Sequence, residues 1–329
     1  MMNYTMYYII VNPASKSGKG AKIWSMIEPV LIEKKVEYRV SFSKEIGHVS
    51  RLVQKLSASL AKDSSELPLK LIILGGDGTL NEALQGISDF NRVWLGYIPT
   101  GSSNDLARDL RLSKDPVRIL ENILSCKEPF ALDLGRLAYD QCSDELSRQH
   151  SNEDSSLRLF SVSSGIGFDA AVCEEALASK FKKILNKIGL GKLTYLTIAL
   201  KQLIKAKKIT CTITLDDNPP IYLPKFLFVA CMIHQFEGGG FKFCPGANAT
   251  DGLIDICAVG NIPKWLILLA LPTAFFGKHY FFHGIDHYTA RRIHMETSAP
   301  LWVHTDGEVT RKSSSITITC EKQKFLFLL

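Results

Sequence analysis

Through the first third of the chain, short apolar runs alternate with amphipathic stretches. The runs are 7–11, 38–42, 69–74 and 93–98; the stretches between them carry helical periodicity, one to about Lys34, one from about Ile46 and one from Thr79. Brief unbroken apolar runs separated by 3.6-residue periodicity predict βαβ units and a parallel, Rossmann-like sheet. From about Phe130 the texture changes to alternating segments such as 130–138, 157–163, 209–215, 225–232 and 253–259, bounded by turn residues. That pattern predicts an antiparallel β-sheet or sandwich. Helical patterns interrupt it at about 171–205 and 264–277, and 141–156 has no apolar periodicity. A last strand pattern, 315–320 followed by 325–329, is expected to return to the first domain. The fold class is therefore α/β plus β, with an α/β domain over 1–130, about 312–329 returning to it, and a β-rich domain over 131–311.

With 329 residues, 46% of them hydrophobic, the chain can form two cores. Its eight cysteines never stand at Cys-x-x-Cys spacing, which predicts reduced core thiols in a cytoplasmic protein. No secretory leader is expected, and the most apolar stretch, 265–276, is too short to span a bilayer and contains Pro272. Net charge is +6, yet 178–208 holds nine lysines and no acid, so the remainder is close to neutral.

Two runs stand where buried strands should end: Leu74-Gly75-Gly76-Asp77-Gly78-Thr79 and Pro99-Thr100-Gly101-Ser102-Ser103-Asn104-Asp105. Glycines let backbone amides approach an anion with no Cβ in the way, and the helix N-terminus expected at Thr79 favours phosphate. Alone, Asp77-Gly78 is also an ordinary turn pair. Residues 12–20 form a third polar loop. Ligands of parallel sheets sit beyond the carboxyl ends of the strands, so the three loops are expected to converge on one nucleotide. Arg108, just inside the next helix, either clamps phosphate or lies on a solvated face.

In order, these runs and those that follow resemble the diacylglycerol kinase catalytic-domain family, which includes soluble bacterial lipid kinases and sphingosine kinases. The resemblance runs nearly end to end. It rests on Asn12-Pro13-Ala14-Ser15 with Gly18, the two glycine runs with Glu82, Gly86, Ala107 and Arg108, and Leu132-Asp133-Leu134-Gly135. It continues through Gly165-x-Gly167-Phe168-Asp169, Gly238-Gly239-Gly240, Pro245-x-Ala247 with Asp251-Gly252, and Asp306-Gly307-Glu308. It implies ATP and Mg2+ as cofactors. With the loops above, the nucleotide-binding set becomes Asn12, Lys19, Gly75, Gly76, Asp77, Gly78, Thr79, Glu82, Thr100, Gly101, Ser102, Asn104, Asp105, Arg108 and Asp133. The family's proposed general base falls on Asp306, and a structural magnesium on the Asp251 carboxylate with the carbonyls of Asn248 and Leu253. Asp306-Gly307 also reads as a plain hairpin turn. Glu308, two residues on, would face the same side as Asp306 in an extended segment and hold water or magnesium. Lys16 in place of glycine, Ser102 in place of threonine and Ser163 in place of asparagine depart from the family pattern.

Phe181, Ile184, Leu185 and Ile188 recur at helical spacing among lysines, as in an interfacial amphipathic helix. Phe275-Phe276 with Tyr280-Phe281-Phe282 is a second candidate membrane patch. His279, His283 and His287 fall at intervals of four, but Gly284 argues against one helix, and surface or capping histidines are expected rather than zinc ligands. The resemblance implies an ATP- and Mg-dependent kinase acting on a lipid hydroxyl, most simply diacylglycerol to phosphatidate. Alternatives left open are a sphingoid-base or other lipid kinase, an NAD kinase sharing the Gly-Gly-Asp-Gly-Thr exit, and a non-catalytic sensor. The expected partners are a membrane lipid and an anionic membrane surface touched from the cytoplasm, with no nucleic acid and a homodimer left open.

Overall fold

The computed structural model describes residues 6–60, 67–140, 156–178, 191–207 and 209–329. They form two compact units: Met1–Leu134 with Glu321–Leu329, and Gly135–Cys320.

The first unit holds β1 (Tyr7–Val11), α1 (Ser15–Glu33), β2 (Tyr38–Phe42), α2 (His48–Leu60), β3 (Leu69–Gly75), α3 (Asp77–Gln85), β4 (Val93–Pro99), α4 (Asp105–Asp109) and α5 (Pro116–Ser125). Its strands are parallel in the order β4-β3-β1-β2, and Phe327 and Leu328 add a further parallel strand beside β4. Val11 pairs with Leu74 and Leu74 with Ile98, so three strands end level. Ile9, Val11, Ile72, Leu74 and Ile98 pack on one face of this sheet with Trp24, Ile27 and Leu31 of α1 and Ile119, Leu120 and Ile123 of α5, while Ile10, Leu71, Ile73, Leu95 and Tyr97, at the alternate positions, are buried on the other. Burial on both sides is why these strands read as unbroken apolar runs. Asp115 accepts from the Val117 amide and Pro116 opens the helix, so α5 begins where local chemistry dictates. α3 begins at Asp77, two residues earlier than its apolar pattern suggests.

The second unit is mostly β. It contains the second half of β5 (Phe130–Tyr139), then β6 (Leu157–Phe160), β7 (Ser163–Gly167), α6 (Phe168–Ala178), α7 (Gly191–Lys205), β8 (Ile209–Leu215), β9 (Ile221–Met232), β10 (Ile254–Gly260), α8 (Lys264–Ala274), β11 (Ile285–Ala290), β12 (Arg292–Thr305) and much of β13 (Glu308–Leu328). The pairs β5–β6, β7–β9, β7–β12, β8–β9, β8–β12, β9–β10, β10–β11 and β12–β13 are antiparallel. The long strands β9 and β12 each pair with β8 at one end and β7 at the other, so these four strands close on themselves. Phe228, Ala230, Met232, Cys257, Val259 and Ile285 fill a core that α8 covers with Ala270.

Several expectations need correction. The patterns at 315–320 and 325–329 are one strand, β13, distorted at Gln323, whose φ is +51°. As Gly284 (φ +91°) implied, the three spaced histidines share no helix, and His287 lies on β11; but His279 is buried in a single 3-10 turn (His279–Phe281) rather than at the surface. The pattern at 171–205 is resolved as α6 and α7. Phe181, Ile184, Leu185 and Ile188 lie outside the described residues, as does Cys142. Cys211, Cys231, Cys244, Cys257 and Cys320 are buried, Cys126 and Cys173 are partly exposed, and all seven are free thiols. Among the described residues, no helix is long and apolar enough to cross a membrane.

Candidate active site

The level strand ends of the first unit bring its three polar loops together. Asn12 Nδ2 donates to Thr79 Oγ1 at 2.9 Å, and the Ser15 and Thr100 hydroxyls lie 2.6 Å apart. The Thr100 amide donates to the Gly75 carbonyl at 2.7 Å. Asp77 binds the middle loop, after β3, to the loop after β4: its carboxylate accepts from the Asn104 amide at 2.7 Å and the Asp105 amide at 3.1 Å. Gly76 and Gly101 touch backbone to backbone, and a Cβ on Gly101 would lie 2.9 Å from Gly76 Cα. Lys16, Ser17 and Gly18 are successive left-handed residues, at φ 43°, 57° and 92°, which bend the first loop before α1 resumes. Two of these three are not glycine, so the bend carries backbone strain of the kind concentrated at ligand loops. Gly76, at the N-cap of α3, supplies no side-chain cap, leaving the helix's first amides turned toward the loop cluster. Backbone amides, hydroxyls and glycines in one place are the groups that cradle phosphate.

Not every residue expected there takes part in this hydrogen-bonded cluster. Lys19 and Ser102 are exposed, and the exposed Arg108 guanidinium stands 3.9 Å from the Asp105 carboxylate. Glu82 is turned away: its carboxylate accepts from the Val49 amide at 3.3 Å and caps α2. Asp133 is buried and accepts from the Gln323 amide at 2.7 Å, where β13 is distorted. The Asp77 and Asp133 carboxylates are thus engaged as acceptors of backbone amides.

In the second unit, Asp306 and Gly307 form the two-residue turn between β12 and β13, with φ +51° and +82° and Thr305 paired to Glu308. The hairpin-turn reading of the pair therefore holds in geometry. Asp306 Oδ1 accepts from the Val162 amide at 2.8 Å and the Ser163 amide at 3.1 Å, and Oδ2 from the Ser161 amide at 3.0 Å. The expectation that Asp306 and Glu308 share a face of an extended segment fails, since the turn lies between them.

Beneath that turn lies a group absent from the expected site. The ligating atoms of Asp169, Glu237 and His304 lie within 4.8 Å of one another, and all three residues are buried. His304 Nε2 is 3.2 Å from Asp169 and 3.5 Å from Glu237, while Nδ1 accepts from the Gly307 amide at 3.2 Å. Burial pushes the His304 imidazole down, but the Glu237 and Asp169 charges outweigh it and lift it to about 9. Burial raises Glu237. The cluster is small enough for one metal ion. His304 and Asp169 are hydrogen-bonded to each other, whereas the buried Glu237 Oε2 has no hydrogen-bond partner among the described residues. Only Asp169 belonged to a noticed motif, because its partners stand 68 and 135 positions away.

The loop expected to hold structural magnesium is an exposed turn. Asp251 accepts from the Leu253 amide at 2.9 Å, and the Asn248 carbonyl takes the Thr250 amide at 2.8 Å. The Asp251 carboxylate and the Asn248 carbonyl thus also take part in the turn's own hydrogen bonds.

Comparison with known proteins agrees with this two-unit plan. The family profile for the diacylglycerol kinase catalytic domain matches residues 6–137, and that for the YegS C-terminal NAD kinase beta sandwich-like domain matches 161–322. The chain belongs to the diacylglycerol kinase catalytic-domain family, with a mixed α/β domain followed by a β-sandwich-like domain. A Bacillus subtilis (strain 168) protein named "Putative lipid kinase YtlR" is 29% identical over 310 residues, 92% of this chain and 93% of that one. A Mycobacterium tuberculosis protein named diacylglycerol kinase is 25% identical over 253 residues, 77% of this chain and 73% of its own. A Bacillus anthracis str. Sterne crystal structure, titled as that of "a putative diacylglycerol kinase", superposes with a TM-score of 0.70 at 21% identity, covering 100% of this chain and 98% of that chain. Membership of a kinase family implies ATP as phosphate donor.

Proposed function

We propose that this protein transfers the γ-phosphate of MgATP to the primary hydroxyl of diacylglycerol, giving phosphatidate. The observation that carries the reading is the joining of the Asn12, Gly76 and Gly101 loops into one glycine- and hydroxyl-lined cluster at the ends of parallel strands. A Cβ at Gly76 or Gly101 would press on the other's backbone, so glycine lets these two loops close together and bring their amides and hydroxyls to one place, the groups that suit a phosphate chain. Magnesium, entering with ATP, offsets charge on the phosphates as they transfer. The chain's own part is to hold the phosphates with loop amides and hydroxyls, and to accept the hydroxyl proton late in the step on Asp306. Three backbone amides fix that carboxylate on a tight turn, so it need not reorganise during transfer. The acceptor is inferred from relatives named for lipids and for diacylglycerol.

The test is transfer from labelled ATP in mixed micelles to diacylglycerol, monoacylglycerol and sphingosine, with NAD in parallel. Labelling of diacylglycerol well above the others is expected. Preference for sphingosine or NAD would reassign the acceptor, and labelling of none would end the kinase reading.

A further inference from the structure

α8 is apolar all round, yet only one side of it is covered. Ile267, Ala270 and Ala274 face inward, whereas Trp265, Leu268, Leu269, Pro272 and Phe276 are exposed. At 100° per residue the first four fall within one stripe, at i, i+3, i+4 and i+7, and Phe276 follows in the turn just beyond the helix end. Exposure reaches 63% for Trp265, 56% for Leu269 and 76% for Phe276. A helix apolar on every side is normally buried, so the outer stripe is made for something other than water.

The patch is firmly held and has a cationic border. Phe275 stacks on Phe241 at 4.0 Å, and the Lys242 amide donates to the Ala274 carbonyl at 2.8 Å, fixing the end of the helix. At its start, Lys264 Nζ donates to the Ile204 and Ala206 carbonyls at 2.8 Å each, bringing the end of α7 and the 77% exposed Ile204 alongside. Positions 191–207 and 260–283 contain no Asp or Glu, while Lys205, Lys207, Lys264 and Lys278 are exposed. A rigid stripe of tryptophan, leucine and phenylalanine among lysines, with no acid in either segment, complements an apolar interior beneath anionic headgroups. An acidic border would be repelled there, and a second copy would bring the same lysines against each other.

We propose that the outer face of α8, with the adjoining end of α7, docks on an anionic phospholipid bilayer, inserting Trp265, Leu269 and Phe276. The inference goes beyond the proposed reaction. Its test uses neither ATP nor an acceptor lipid, so either claim can fail without the other.

Trp265 is the reporter. Of the four tryptophans, Trp24 is buried, and Trp94 and Trp302 are partly covered beneath Lys70 and Lys312. Vesicles of phosphatidylcholine with phosphatidylglycerol should sediment the protein, and brominated phosphatidylcholine should quench its fluorescence, with the quenched component absent in Trp265→Phe. Leu269→Asp with Phe276→Asp should weaken vesicle binding at least about tenfold, since two apolar side chains are lost from the bilayer and two charges added. The exposed pair Ile32→Asp with Ile46→Asp in the first unit should not. Binding undiminished by the α8 pair, or equal on vesicles without phosphatidylglycerol, overturns the proposal. So does a dimer that the α8 pair dissociates while vesicles bind neither protein.

Discussion

Asp77 Oδ2 lies 2.7 Å from the Asn104 amide, joining two glycine loops that sequence alone only places at neighbouring strand ends. With Oδ1 taking the Asp105 amide, one carboxylate holds the second loop to the first. Asp77→Asn leaves one acceptor and sets an NH2 group against a backbone amide. We expect a stability loss of about 1–3 kcal/mol in urea titration and weaker MgATP binding by calorimetry. Unchanged stability and affinity would show that the loops are held otherwise.

Gly101→Ala tests the close approach itself. The added Cβ would stand 2.7 Å from Asn104 Oδ1 and 2.9 Å from Gly76 Cα, the latter a backbone atom that cannot swing aside. The loops must separate, so MgATP affinity should fall at least about tenfold while far-UV circular dichroism keeps its native form. Parental affinity would mean that the cluster does not hold phosphate.

Glu82 separates motif from geometry. Its carboxylate caps α2 through the Val49 amide, so Glu82→Ala should cost about 0.5–2 kcal/mol of stability and leave MgATP affinity unchanged. A large affinity loss without destabilisation would return Glu82 to the nucleotide site.

How much was legible follows from which interactions are local. Strands β1, β3 and β4 were readable because burial on both faces writes itself as continuous apolar runs. β12 was not, since its buried positions include Thr297, His304 and Thr305, polar residues that mask alternation. The Asp306 turn was visible as Asp-Gly, but its three amide donors lie 143 to 145 residues away. His304 and Glu237 carried no signal, because a histidine in a strand and a glutamate before three glycines are unremarkable until folding buries them together. The spaced histidines share no helix, as Gly284 implied: Gly277 and Gly284, both at positive φ, break the chain there, and only the burial of His279 was not legible.

His304 gives a pH prediction. Its folded pKa of about 9 lies above the ordinary value of 6.5 because Glu237 and Asp169 outweigh burial. The folded state therefore holds the proton more tightly, and the stabilisation is complete below pH 6.5 and lost as pH rises through about 9. Deprotonation offsets part of this by letting Nδ1 accept the Gly307 amide. The stability of the parent should fall across that window relative to His304→Gln, by an amount on the order of 3 kcal/mol at most. Parallel curves for the two proteins would remove the charge from His304.

The most direct test of phosphoryl transfer assisted by Asp306 is the steady-state rate of label transfer from MgATP to the preferred lipid, comparing the parent with Asp306→Asn. The account predicts a kcat at least about a hundredfold lower, with MgATP affinity by calorimetry retained because the loop cluster lies in the other unit. A variant that binds MgATP and transfers phosphate at the parental rate would contradict it.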